Sequence, residues 1–342
     1  MEGRTREKKA GERHPRIFVS IPSYRDPECQ WTLKDLFDKA ARPERIFAGV
    51  CWQIHASQDA HCFEHIPKGR TEQIRTVVLD HSDAKGPCYA RALAQKLWRG
   101  EEFYLQIDSH MRFVRSWDIK LLSMLASCKK HSDKPILTTY PADYEPPGRI
   151  PTSAKPSILC AKNFDAAGRF RIAARSLQRQ PKEPLPSFFW AAGFAFSCAE
   201  VIREVPYDAG LVDVFFGEEA SMAVRLWTSG WDFFCPSSPA IFHLWSRAHR
   251  PTFRELKQNP CVEQAAYARV DFVLGRRKAP PKGMTESVGL GTVRTLAAFQ
   301  EHTGINFSKR TIATAARRGG IGEGMLEEDR VEALLKLVSG LW

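Results

Sequence analysis

Residues Phe103-Tyr104-Leu105-Gln106-Ile107-Asp108-Ser109-His110 form an apolar run that ends abruptly in a polar triplet. Such a run is typical of a buried strand in a parallel sheet. The carboxyl end of such a strand is where open α/β sheets place their ligands. Asp108 and His110 are close enough in sequence for a slight turn to aim both side chains at one cation. This pair suits a divalent metal such as Mn²⁺, which predicts a metal-dependent enzyme acting on a nucleotide.

The surrounding sequence alternates predicted strands with amphipathic helices. The pattern predicts β-α-β units with right-handed crossovers and therefore an α/β fold with a mostly parallel central sheet flanked by helices. A strand near 169–173 is expected to belong to a small second sheet. The predicted strands of the main sheet are 16–21, 45–52, 74–79, 103–107 and 136–140, and the predicted helices include 87–99 and 117–128.

Composition places the chain among ordinary globular proteins. It has 342 residues, of which 43% are hydrophobic. No apolar run approaches the ~18 residues of a membrane span, and residues 1–15 are expected to form a basic, disordered tail rather than a secretory signal. The nine cysteines are scattered singly, which favours a reducing compartment. We therefore expect a cytoplasmic protein without a membrane partner.

The formal net charge of +11 has three interpretations. It can attract an anionic substrate such as a nucleotide diphosphate, an acidic protein acceptor, or a nucleic acid. The basic residues are dispersed, and no nucleic-acid-binding motif accompanies them. The sequence therefore favours the first two partners over nucleic acid.

Three further motifs add candidate site residues. His243 follows an apolar patch and is a candidate third metal ligand, although a core histidine between aromatic residues is the alternative. Glu218 opens a helix, where a carboxylate could bind a ligand or simply be stabilised by the helix dipole. Gly193 ends an Ala-Ala-Gly turn that would let the backbone approach a ligand closely.

These motifs resemble, in order, those of the polypeptide N-acetylgalactosaminyltransferases. A second resemblance is stronger, to cytoplasmic N-acetylglucosaminyltransferases that modify hydroxyproline on the adaptor subunit of SCF ubiquitin ligases. Together the two resemblances run from about residue 16 to 310. The matching pieces are 86–110, 190–193, 217–218, 225–227 and 241–243 for the first family, and 20–26, 290–296 and 304–307 for the second.

The resemblance implies a GT-A fold, a UDP-sugar donor, Mn²⁺ and retention of anomeric configuration. It implies that Asp108, His110 and His243 hold the metal and that Glu218 holds sugar hydroxyls, so we assign catalytic roles to Asp108 and Glu218. Since no carboxylate stands out as a nucleophile, we expect attack on the same face as the leaving diphosphate.

The sequence offers further donor-binding candidates, each of which rests on a single feature. Arg91 matches a donor-binding arginine of the related families, with an exposed residue on the helix face opposite Leu93 and Leu97 as the alternative. Ser109 is small enough for the backbone to pass close to the nucleotide. Ser23 and Arg25 follow the first strand, where Arg25 could contact uracil or phosphate or be a solvated loop residue. Trp190 is a candidate aromatic platform, with core packing as the alternative.

The domain and function predictions follow from these motifs. Residues 16–255 are expected to form the catalytic domain and 256–342 a helical extension, in which 326–338 could pack on the domain or form a dimer contact.

The leading function is transfer of N-acetylglucosamine from UDP-GlcNAc to a protein hydroxyl, with hydroxyproline as a candidate. The alternatives are another UDP-sugar, a glycan or small-molecule acceptor, or a non-catalytic nucleic-acid-binding or scaffold protein. The proline-rich segment 141–186 is where an acceptor is expected to dock.

Overall fold

A computed structural model describes residues 15–256, 259–322 and 324–327. The predicted tail lies almost entirely outside the described residues, as does most of the predicted helix at 326–338.

The strands are β1 Ile17–Tyr24, β2 Ile46–Ile54, β3 Ile74–Asp80, β4 Phe103–Ile107, β5 Met111–Phe113, β6 Pro135–Thr138, β7 Ser157–Phe164, β8 Phe170–Ser176, β9 Leu185–Ser187, β10 Phe194–Cys198, β11 Asp232–Cys235, β12 Ile241–His243, β13 Ile305–Asn306 and β14 Thr311–Ile312. The helices are α1 Glu28–Lys39, α2 Pro87–Gln95, α3 Trp117–Cys128, α4 Val201–Glu204, α5 Glu218–Thr228, α6 Pro260–Val273, α7 Leu296–Thr303 and α8 Thr314–Arg317.

Eight strands form the central sheet, in the order β3-β2-β1-β4-β10-β6-β11-β9. Strands β3, β2, β1 and β4 are mutually parallel, and β11 is parallel to β6. Strand β10 runs antiparallel between β4 and β6, and β9 is antiparallel to β11. The expected α/β architecture with a mostly parallel sheet is therefore confirmed.

Both faces of the sheet are covered by helices. Side chains alternate between the two faces along each strand, so each strand contributes to two hydrophobic clusters. On β1, Ile17, Val19 and Ile21 pack against α1 and α3 in one hydrophobic cluster. Phe18 points to the other face, where its cluster includes residues of α5, α6 and α7. Helices on both sides of this sheet explain why β1 and β4 read as nearly continuous apolar runs.

Helix α2 differs from its predicted form. It ends at Gln95 rather than near Arg99, and Leu93 is only half-buried. Arg91, by contrast, is 2% exposed. Small residues of α2 pack close to the sheet, so the helix turns Arg91 toward the end of β4.

Small sheets complete the structure around the main one. The β7–β8 hairpin lies within the proline-rich segment 141–186 and contains the expected strand near 169–173. Strand β12 pairs antiparallel with β5, with His243 opposite Met111. This pairing carries a histidine from late in the chain to the end of β4.

Helices beyond residue 256 pack on the same core as the preceding part. Side chains of α6 and α7, among them Val270 and Phe299, belong to the cluster that also includes α5. The boundary near residue 256 stays a prediction. Among the described residues, no helix is long and apolar enough to cross a membrane.

Candidate active site

A cavity of about 390 Å³ opens at the carboxyl ends of β1, β2 and β4. Its lining falls into a polar part beside these strand ends and an aromatic part toward the β7–β8 hairpin. The polar part includes Tyr24, Gln53, Arg91, Asp108, Ser109, His110, Glu218 and His243. The aromatic part includes Tyr140, Phe170, Phe189, Trp190, Phe215, Phe216 and Trp245.

Asp108, His110 and His243 converge in the polar part. His243 Nε2 lies 3.2 Å from Asp108 Oδ2 and 3.1 Å from His110 Nε2. One ligand atom from each residue lies within 4.8 Å of the others. Both histidines are buried, whereas the Asp108 side chain keeps 28% of its exposure. The group is therefore accessible from the cavity through its carboxylate.

Asp26 orients His110 from the side away from the cavity. His110 Nδ1 lies 2.8 Å from Asp26 Oδ2, so the Nδ1 proton is directed at the carboxylate and the Nε2 lone pair faces His243 and Asp108. A carboxylate behind a metal-ligating histidine commonly fixes its tautomer in this way. Burial lowers the pKa of His110 to about 4 despite the opposing influence of Asp26, so the imidazole is neutral at pH 7 and able to ligate a cation.

Asp26, His110 and His249 form a second group with suitable spacing. The carboxylate of Asp26 is already surrounded by donors: it accepts hydrogen bonds from Ser109 Oγ and from the backbone N–H of Glu28. It also pairs with Arg250 at 3.3 Å. We therefore regard Asp26 as a hydrogen-bonded support and the Asp108 group, with two imidazole nitrogens and one carboxylate oxygen facing each other, as the better fit to a divalent cation.

Arg91 connects the metal-binding candidates to Glu218. Its Nη2 donates to Asp108 Oδ1 at 2.5 Å, and its Nε lies 3.2 Å from Glu218 Oε1. Burial alone would raise the pKa of Asp108, but the charge of Arg91 and the hydrogen bond from His243 hold it well below its usual range. Asp108 is thus ionised, as a metal ligand must be.

Glu218 lies at the start of α5 and is buried. Burial raises its pKa, partly offset by Arg91. The hydroxyl of Tyr207 donates to Glu218 Oε1 at 2.9 Å, and Gln106 Nε2 donates to the same hydroxyl at 2.9 Å and to Ala192 O at 2.7 Å. This network fixes both Glu218 and the turn that precedes β10.

Gly193 in that turn lies against Asp108. A Cβ atom built on Gly193 would lie 2.9 Å from Asp108 Oδ2, closer than real Cβ contacts allow. Glycine is therefore required here for the carboxylate of Asp108 to occupy its position.

Glu219 holds the other side of the turn. Its Oε1 accepts a hydrogen bond from the Ala192 N–H at 3.1 Å, and its Oε2 accepts one from the Tyr140 hydroxyl. Burial raises the pKa of Glu219 to about 7, although these two donors oppose the shift.

The predicted site residues are brought together only in part. Arg91, Asp108, Ser109, His110, Trp190, Gly193, Glu218 and His243 all line the cavity. Ser23 and Arg25 are not among its lining residues. Ser23 is buried, and Arg25 pairs with Asp59 at 3.0 Å and with Glu255 at 2.9 Å. Their donor-binding roles stay predictions without a contact to support them.

Sequence reasoning missed Asp26, Tyr207 and the buried role of Glu219. Asp26 precedes helix α1, where a carboxylate is typical of a helix cap and does accept the Glu28 N–H, so its sequence position gives no sign of its contact with His110. Tyr207 follows a short helix with no local motif. The sequence signal that could have pointed to Glu219 was its position next to Glu218.

The chain belongs to the glycosyltransferase (GlcNAc) family, since the family model matches residues 16–68 and 61–309. No curated protein sequence matches the chain.

Two solved structures are similar to the chain, and the similarity to the first supports the fold. The chain is similar to GalNAc-T7, solved with UDP, GalNAc and Mn²⁺, with a TM-score of 0.54 and 16% identity over 76% of this chain and 48% of that one. It is also similar to residues 1–349 of S. aureus TarS, solved with UDP-GlcNAc, with a TM-score of 0.47 and 12% identity over 75% of this chain and 65% of that one. The chain spans about half the length of GalNAc-T7. The fold is GT-A.

Proposed function

We propose that this chain is a retaining, metal-dependent glycosyltransferase that moves N-acetylglucosamine from UDP-GlcNAc to a protein hydroxyl. The observation that carries the proposal is the convergence of Asp108, His110 and His243 beside the Arg91–Glu218 pair in one cavity. The family supports the donor sugar, and hydroxyproline is the acceptor that the sequence resemblance favours. A cytoplasmic location belongs to the same proposal.

The divalent cation would be held by Asp108, His110 and His243, and Mn²⁺ is the cation that we propose. When bound, such a cation supplies positive charge to the diphosphate that leaves the sugar. Arg247 and Arg250 line the same cavity and add fixed positive charge near Asp108. Gln53 and Tyr24 lie at the adjacent strand ends, where the nucleoside would bind.

Glu218 would accept hydrogen bonds from sugar hydroxyls. Its Oε1 is occupied by Arg91 and Tyr207, which leaves Oε2 for a ligand. Gly193 and the turn around it would let the backbone lie close to the sugar. Removal of a buried hydrogen-bonding partner of this kind costs transition-state stabilisation when the bond tightens during the reaction.

The sequence resemblance implies retention, and for a retaining enzyme the lack of a free carboxylate nucleophile in the cavity favours same-face attack. Among the described residues lining the cavity, the carboxylates are Asp108, Glu218 and Glu219. Each already accepts hydrogen bonds or ion pairs from the protein, and Asp108 belongs to the metal group. The acceptor proton would pass to the leaving diphosphate. An NMR assignment of a β-linked product would contradict this mechanism.

A panel of UDP-sugars tests the donor without knowledge of the acceptor. Slow hydrolysis of UDP-GlcNAc, UDP-GalNAc, UDP-glucose and UDP-galactose would be followed by release of UDP in the presence of Mn²⁺. We expect UDP-GlcNAc to be hydrolysed fastest. Faster hydrolysis of another sugar would establish the alternative donor, and hydrolysis of none would contradict the proposed function.

The remaining alternatives concern the acceptor and catalysis itself. A glycan or small-molecule acceptor is compatible with the same donor site, and transfer assays with these acceptors would show it. A non-catalytic, nucleic-acid-binding role is disfavoured by membership of a transferase family and by the complete Asp108, His110, Glu218 and His243 set.

A further inference from the structure

Two arginines that line the cavity lie over one aromatic ring. The guanidinium of Arg171 lies 3.5 Å from the ring centroid of Phe216, and that of Arg254 lies 5.8 Å from it. Arg171 is on β8, whereas Arg254 follows β12 in sequence, so two separate parts of the chain place positive charge here. All three residues line the cavity.

The charge of these two arginines is poorly balanced within the described part of the chain. Arg171 has Asp165 at 3.8 Å, at the outer limit of an ion pair. Arg254 has no carboxylate of a described residue within 4 Å, and its contacts are with the rings of Phe215 and Phe216. The carboxylates inside the cavity are directed elsewhere, to Arg91, His243, Tyr207 and Tyr140.

Arg247 adds to this excess of positive charge. Arg247 lies 5.0 Å from the ring centroid of Phe215. Burial, together with the charges of Arg250 and Arg254, lowers the pKa of Arg247. Like charges held this close favour an anion that can be shared between them.

Arg171 and Arg254 lie on different elements of the chain from the donor-binding candidates. Asp108, His110 and Arg91 lie at or beside the end of β4, whereas Arg171 belongs to the β7–β8 hairpin at the aromatic part of the cavity. We call Arg171, Arg254 and Phe216 the arginine rim.

We propose that the arginine rim binds carboxylates of an acidic segment in the protein acceptor, close to the hydroxyl that is glycosylated. This inference rests on the proposed function and specifies its acceptor class. Arginine pairs with carboxylates in a bidentate geometry, and its weak hydration suits a partly buried pair.

The lining around the rim favours a polypeptide over a phosphate polymer. Phe215, Phe216 and Trp245 present aromatic surface to the cavity, and Trp245 is 46% exposed. Apolar side chains of a peptide can cover such surface while acidic ones pair with the arginines. The net charge of +11 would attract the same acidic partner over a longer range.

Peptide binding tests the inference independently of the modified residue. Fluorescein-labelled peptides of equal length and equal apolar content, with glutamate, glutamine or lysine flanks, would be titrated with the full chain in UDP and Mn²⁺. Fluorescence anisotropy gives the dissociation constants. We expect the glutamate peptide to bind about tenfold more tightly than the glutamine peptide, with the difference shrinking as ionic strength rises to about 0.5 M.

The double variant Arg171→Gln with Arg254→Gln should remove this preference. The matched control is Arg179→Gln with Lys182→Gln, which removes the same charge from exposed residues outside the cavity lining. The control should keep the preference. Single variants of Arg171 and Arg254 provide a second test if the double variant does not fold.

Three results would overturn the inference. One is equal binding of the three peptides, and another is the same preference in the double variant as in wild type. The third is binding of inorganic polyphosphate at the rim without any preference among peptides, which would assign the rim to a phosphate polymer. Hydrolysis of UDP-GlcNAc by wild type, measured in parallel, reports separately on the proposed function.

Discussion

Gly193 and Asp108 show how tightly the site constrains single residues. A Cβ atom at residue 193 would lie 2.9 Å from Asp108 Oδ2, so the variant Gly193→Ala must displace the carboxylate from His243 or Arg91. We expect Gly193→Ala to lower the rate of UDP-GlcNAc hydrolysis about 100-fold, because small misplacements of reacting groups have effects of this size.

The control for this prediction is Gly69→Ala. Gly69 has no heavy atom within 4 Å of its Cβ position and does not line the cavity. The Gly69→Ala variant should hydrolyse UDP-GlcNAc at the wild-type rate. Wild-type hydrolysis by Gly193→Ala would show that Asp108 does not need its observed position.

Asp26 should govern metal affinity through His110. The variant Asp26→Asn keeps the shape but removes the charge behind His110 Nδ1, and changes of this kind weaken metal binding about 10- to 100-fold. Calorimetric titration with Mn²⁺ would measure the dissociation constant. Circular dichroism would check the fold, since Asp26 also pairs with His249 and Arg250. Unchanged affinity in a folded variant would remove Asp26 from the metal site.

Glu219 should make stability depend on pH. Its carboxyl has a pKa of about 7 when folded and an ordinary value of 4.5 when unfolded, so the folded state binds more protons between these values. The contribution of Glu219 to the free energy of unfolding is therefore greatest at acid pH and falls as the pH rises through 7.

The variant Glu219→Gln cannot titrate and should lose that contribution. Urea unfolding at a series of pH values between about 4.5 and 8 would compare it with wild type. We expect the difference in free energy between the two proteins to change across this range. A constant difference would show that Glu219 does not titrate in this way.

At the residue scale, sequence identified the ligands better than their supports. Asp108 and His110 were recognisable because a polar triplet ends an apolar strand. Asp26 was not, because a carboxylate before a helix has a sufficient local explanation as a cap. The contact between Asp26 and His110 joins residues far apart in sequence, which periodicity cannot detect.

Helix α5 depends on the glycine that precedes it. Gly217 has φ of +121°, a conformation that L-residues rarely adopt, and a Cβ there would lie 3.2 Å from Val270 Cγ1. We expect Gly217→Ala to lower the free energy of unfolding by about 1–3 kcal/mol and to move Glu218 from Arg91.

Thermal or urea unfolding would measure this effect. Gly100→Ala is the control, since Gly100 also has positive φ, +86°, but an open Cβ position. Its loss of stability should be smaller. Equal losses in both variants would mean that the contact with Val270 adds nothing.

At the element scale, strands were easier to predict than tertiary pairing. The five strands predicted for the main sheet correspond to β1, β2, β3, β4 and β6. Among them, β1 and β4 were the most recognisable, because parallel strands covered on both faces are largely apolar. Helix α2 was predicted too long, since Leu97 and Trp98 continue its apolar pattern after the helix ends at Gln95. The β12–β5 pairing that delivers His243 has no local signal.

The whole molecule gathers its site from most of its length. The residues that line the cavity extend from Pro22 on β1 to Phe307 after α7. The ordered short motifs that resemble known families predicted that distant parts of the chain meet in one site. The periodicity of apolar residues predicted only the class of fold. The arginine rim was not anticipated, because Arg171 comes from the proline-rich segment, Arg254 from the chain after β12 and Phe216 from the residues just before α5.

The central claim is that Asp108 and His110, together with a divalent cation, support turnover of the donor. The most direct test is release of UDP from UDP-GlcNAc by wild type and by the variant Asp108→Ala with His110→Ala, each with Mn²⁺ and with excess EDTA. We predict turnover by wild type with Mn²⁺, loss of turnover in EDTA and recovery when Mn²⁺ is restored, with none by the double variant. Full turnover by the double variant, or by wild type in excess EDTA, would contradict the account.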